Sequence, residues 1–114
     1  MEHGAAGDLL PNTLRCVAIG TTIHILHQDG ATLHDQIVDT ANPTTAPTHT
    51  VVVAAAMSAA STRSEFDAYA NPAGTAAYVA YRTAGAPNTV SLVVINSAGA
   101  VTAGPEVVYN GGST

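Results

Sequence analysis

Ile23-His24-Ile25-Leu26-His27-Gln28-Asp29-Gly30-Ala31-Thr32-Leu33-His34-Asp35-Gln36-Ile37-Val38-Asp39 is the stretch that decides the fold class. Apolar and β-branched residues flank an Asp-Gly step, and glycine accepts the positive φ that a tight primed turn demands. The stretch predicts a strand over Ile23 to His27, a hairpin turn, and a strand over Ala31 to Asp39. Upstream, Leu14 to Ile19 reads as a short apolar strand and Gly20-Thr21-Thr22 as a turn. Residues 1–12 hold Gly, Asp and Pro without periodicity and read as an arm or linker.

Downstream, Thr40 to Thr48 carries two prolines and small or polar side chains, which makes it a long connection. Thr50 to Met57 is ambiguous: three valines favour a strand, while the alanines and Met57 suit a helix. We read it as a buried strand, with a helical turn near Ser58 to Thr62 as the alternative. Glu65 to Ala70, Thr75 to Arg82, Thr89 to Asn96 and Val101 to Tyr109 read as further strands. They are separated by Asn71-Pro72-Ala73-Gly74, the loop Ala84 to Asn88, and Ser97-Ala98-Gly99. Gly104-Pro105 marks an interruption or an edge position in the last strand. Short strands punctuated in this way predict an all-β domain over 13–109, an antiparallel meander of about seven or eight strands, with a flexible tail over 110–114.

Aligning Gly30 with Gly99 lays the apolar positions of Ile23 to Ala31 on those of Leu92 to Ala100, which suggests two repeats, about 13–39 and 64–109, joined by a connection over 40–63. Phe66 to Tyr81 resembles the strand, turn, strand segment of propeller blades in the TolB and WD-repeat broad class. Asn71-Pro72-Ala73-Gly74 stands where such blades carry Ser-Pro-Asp-Gly, with Ala73 in place of the Asp. The resemblance covers residues 64 to 109 and, more loosely, 13 to 39. It implies four-stranded blades, and because propellers close with four to eight of them, two would need further copies to complete a ring. The alternative architecture is a small β-sandwich.

Composition narrows the function classes. The hydrophobic fraction is 46% but the aromatic fraction only 4%, so any core is built from small side chains such as alanine and valine. The charged fraction is 10%, well under the quarter typical of soluble domains, and every cation is arginine. A net charge of -5 without a basic cluster argues against a nucleic-acid partner. The longest apolar run, Val51 to Met57, is too short to cross a bilayer as a helix, and no secretory signal pattern opens the sequence. Cys16 stands alone, so no internal disulfide forms, and it reads as a small buried thiol.

Candidate chemistry is sparse. His24 and His27 would point to opposite sides of a strand, whereas His27 and His34 would face one another across the hairpin, with Asp35 nearby. Two imidazoles fall short of a metal site, so no metal is expected, and no cofactor either. His3 and His49 show no evident partner. No serine sits in a nucleophile-elbow setting, and Glu65 with Asp67, or Asp35 with Asp39, reads as solvated strand edge rather than an acid-base pair. Of Tyr78 and Tyr81, three apart in one strand, one packs inward and the other is free. The expectation is therefore a non-enzymatic structural or assembly module, a component of a virion or surface fibre, whose partners are other protein chains and, in an attachment role, a surface glycan. The alternative is an oligomeric propeller-type module that binds a carbohydrate or other small ligand, with Tyr69, Tyr81 and Asn88 as the candidate binding residues.

Overall fold

The computed structural model describes residues 14–59, 65–84 and 89–110. Eight strands follow one another: β1 Leu14–Ile19, β2 Thr22–Asp29, β3 Thr32–Asp39, β4 Thr48–Val53, β5 Phe66–Ala70, β6 Ala76–Arg82, β7 Thr89–Asn96 and β8 Val101–Asn110. They form two four-stranded antiparallel sheets, each a meander in sequence order, β1-β2-β3-β4 and β5-β6-β7-β8. The all-β expectation holds, as two four-stranded units whose architecture suits either a pair of blades or a small sandwich. No described residue is helical. The arm over 1–12, most of the segment around Ser58 to Thr62, and the tail beyond Asn110 lie outside the described residues.

Two readings of the sequence are corrected. β4 joins β1 to β3, so the first unit reaches past residue 39 to Val53. The strand there stops at Val53: Ala55 has φ 57°, which ends extended pairing, and Met57, beyond it, makes an isolated bridge to Thr83 and donates its N–H to the Ala31 carbonyl at 3.0 Å. The division after β4 also makes β1 equivalent to β5 and β2 to β6. Aligning Gly30 with Gly99 lays the β2–β3 turn on the β7–β8 turn, one strand out of step. Hairpin turns share one chemistry, so turn residues alone cannot identify which hairpin is which. The equivalent turns are instead those of Gly20 and Gly74, both at positive φ, where the Gly20 N–H donates to the Gly74 carbonyl at 2.9 Å.

The sheets lie face to face, with β1 packed beside β5 and β6. Alternation along each strand sends one set of side chains between them. Val17, Ile19, Leu26 and Leu33 from the first sheet meet Phe66, Val79, Val93 and Ile95 from the second, and Val52, Val53 and Met57 complete the core. Small inner residues, Ala68, Ala70 and Ala77, let the second sheet approach β1 closely. Gln28, itself buried, ties the sheets to the connecting chain by donating to the carbonyls of Gly30 and Ser58 and accepting from the Glu65 N–H.

Candidate functional site

The same alternation that fills the core leaves each sheet a second, outward face. On the first sheet, cross-strand partners place Cys16, Ala18, Ile23, Ile25, Val38 and Val51 there, with His27, His34, Gln36 and His49 among them. No formally charged side chain lies among those ten. On the second sheet the outward face holds Tyr69, Tyr78, Ala80, Val90, Leu92, Val94 and Tyr109, bordered by Asp67, Arg82 and Glu106. Tyr69 is 73% exposed and Tyr109 63%, although ordinary half-buried sheets turn polar residues outward. All of β8, the edge strand of its sheet, is exposed.

Three imidazoles form a row on the first outward face. His27 and His34 stack at a centroid distance of 5.0 Å, as the hairpin register predicts, and His34 stacks in turn on His49 at 5.0 Å. His34 Nδ1 and His49 Nε2 are 2.9 Å apart, a hydrogen bond in which one nitrogen carries the proton and the other accepts it. His49 thus has a partner that the sequence did not disclose, because a long connection separates it from His34. The rings run in a line rather than converge, and among the described residues no group of three or more His, Cys, Asp or Glu is arranged to hold a metal. Cys16 is exposed on this face, not buried, since it pairs with outward-facing Ile25.

Asp35 points the other way. Adjacent residues on a strand face opposite sides, so Asp35 lies beneath the sheet when His34 lies above it. There it is wholly buried, with Oδ2 2.6 Å from Nδ1 of His24, itself wholly buried. His24 Nε2 reaches the Thr22 hydroxyl at 2.9 Å, and that hydroxyl lies 2.8 Å from the Ile19 carbonyl and 3.3 Å from that of Ser97. An Asp-His-Thr chain has the order of a nucleophilic triad, but the Thr22 hydroxyl has carbonyls to donate to, which leaves it an acceptor for the imidazole. The chain acts as a brace that fixes Thr22. Glu65 is also buried rather than solvated, paired with Arg82 at 3.2 Å, while Asp67 is exposed and meets Arg15 at 3.2 Å.

Thr22 stands at the edge of a cleft of about 380 Å³ at one end of the sheets. Its walls come from the β1–β2 turn (Thr21), the end of β3 (Ile37, Asp39), the connection into β4 (Thr45, Ala46, Thr48) and the β7–β8 turn (Ser97, Ala98). The β7–β8 turn is seated firmly: Gly99 is buried and lies so close to Ile37 and Thr50 that no side chain fits between.

The candidate binding residues are dispersed. Tyr81 belongs to the core at 4% exposure, hydrogen-bonded to Ser91, because its partner across the strands is inward-facing Phe66. It offers no face to a ligand. Tyr78, three residues earlier, is the outward one, and it sits opposite Tyr69, beside a shallow depression of about 170 Å³ shared with Asp67 and Leu92. Asn88 lies outside the described residues. Known protein families, curated proteins and solved structures offer no match to this chain.

Proposed function

We propose that the protein is a non-enzymatic assembly module that stacks the outward face of its second sheet on the outward face of the first sheet of another copy. The observation that carries this reading is that both outward faces present apolar side chains, Ile23, Ile25, Val38 and Val51 on the first and Tyr69, Tyr78, Leu92 and Tyr109 on the second. Exposed apolar patches of that kind mark association surfaces. The packing inside one chain supplies the pattern, two twisted sheets meeting face to face with their first strands closest, and repetition of that step between chains covers both faces.

The chemistry of the two faces favours head-to-tail over like-to-like contact. The first carries the imidazole row, with a carboxylate only at its end, Asp29, whereas the second is bordered by Asp67 and Glu106, so ring N–H donors of one face meet carboxylate acceptors of the other. Such heterologous contacts close into rings when the rotation per step allows it. A ring of three copies would hold six sheets, within the range in which radial sheet assemblies close. Low surface charge and small side chains support a place in a virion or surface fibre, where neighbouring chains bury what one chain leaves open.

Light scattering across a dilution series tests the reading. The expected result is a discrete species at three times the 11.4 kDa of one chain. A monodisperse, folded monomer at all concentrations would overturn it.

A further inference from the structure

We propose that the threonine-lined cleft binds a neutral saccharide, a role separate from assembly because none of the residues lining the cleft belongs to the outward faces through which copies would stack. Four hydroxyl-bearing residues, Thr21, Thr45, Thr48 and Ser97, line it, and among the described residues none of their hydroxyls has a hydrogen-bond partner. Each can both donate and accept, which matches the mixed donor and acceptor character of a sugar hydroxyl. Asp39 uses Oδ1 to accept from the Ala41 N–H at 3.0 Å and keeps Oδ2 for a ligand. A carboxylate accepting from sugar hydroxyls forms the stronger, charge-assisted kind of bond.

Charge selects within the polar ligands. No lining residue is a cation, so a phosphate or an acidic sugar would meet Asp39 uncompensated. One carboxylate among four hydroxyls is also too few hard ligands for a metal ion. Ile37, Ala46 and Ala98 supply apolar patches for the C–H faces of a sugar ring. The volume falls in the range of ordinary small-molecule sites. Preorganisation comes from the buried brace: Asp35 holds His24, His24 holds Thr22, and the Thr22 hydroxyl bonds the Ile19 carbonyl at 2.8 Å beside the Ser97 carbonyl at 3.3 Å. The walls therefore keep their spacing without a ligand.

The test is a titration of the isotope-labelled chain with glucose, galactose, mannose, lactose and maltose, following amide shifts by NMR. Saturable shifts confined to the cleft, with one of the five sugars in the millimolar range, are expected. Asp39→Ala should weaken that binding by about tenfold or more and Thr48→Val by about threefold to tenfold, the latter with an unchanged melting temperature. Thr48→Val carries the test should Asp39→Ala fail to fold. Absence of saturable shifts for all five sugars, shifts located elsewhere, or binding that both variants leave intact would overturn the proposal. Because the readout is local, it is independent of the mass of the assembly.

Discussion

At the scale of single residues, the decisive choice is which side of a strand a polar group occupies. His27 and His34 could be paired from the hairpin alone, since Asp29-Gly30 sets the register and His27 falls opposite His34. The same register places His24 and Asp35 on the inner face with Leu26 and Leu33, so their buried pair was legible in principle. It was missed because Asp35 was grouped with its sequence neighbour His34 instead of with residues two apart. Removing one partner of such a pair leaves the other buried and unsatisfied. Asp35→Ala is therefore expected to cost about 3 kcal/mol in urea unfolding, well above the near-zero effect of an exposed carboxylate such as Asp67. Tyr81 gives a second test. Burial raises its pKa above the ordinary tyrosine value, with the Ser91 hydrogen bond opposing. The folded state thus holds the phenol proton more tightly than the unfolded chain. Its contribution is fully present below pH about 10 and is lost as pH rises through the folded value. Tyr81→Phe should lower stability near neutral pH by about 1 kcal/mol and flatten the alkaline part of a stability profile measured by denaturant unfolding.

At the scale of elements, strands were easier to read than their grouping. Alternation and Gly, Pro or Asn punctuation are local signals, which is why β1, β3 and β7 fall almost where periodicity puts them. Membership of β4 in the first sheet depends on pairing with β3 across a long connection, and no local signal reports that pairing. The cleft is similarly invisible in sequence, because Thr21, Thr48 and Ser97 come from three separate segments that only the packed fold unites. Turns that dock between elements should be far less tolerant than turns that merely reverse the chain. A Cβ at Gly99, where φ is 78°, would lie 2.6 Å from Ile37 Cδ1 and 2.7 Å from Thr50 Oγ1. Gly99→Ala combines overpacking with backbone strain, an expected loss of about 3 kcal/mol. Gly30 also has positive φ, at 60°, but a Cβ there meets nothing within 4 Å, so Gly30→Ala should cost only about 1 kcal/mol. Equal losses in thermal unfolding would mean that the β7–β8 turn is not seated on the first sheet.

At the scale of the whole molecule, the symmetry of association follows from which face meets which. Ile25 sits at the centre of the first outward face and Leu92 at the centre of the second, each half-exposed and away from the core. A buried, unpaired carboxylate at either point should abolish that contact, so Ile25→Glu and Leu92→Glu are each expected to be folded monomers by light scattering. Mixed in equal amounts, they should form a two-chain species and stop there. The intact second sheet of Ile25→Glu stacks on the intact first sheet of Leu92→Glu, while the two remaining faces each carry a glutamate and cannot grow further. Like-to-like contact predicts a different result. Each face would then pair with its own copy, so Leu92→Glu alone would still dimerise through its first sheet, and mixing would add no new species. A two-chain species that appears only in the mixture is the signature of a head-to-tail interface, and its absence would remove the basis for a closed ring.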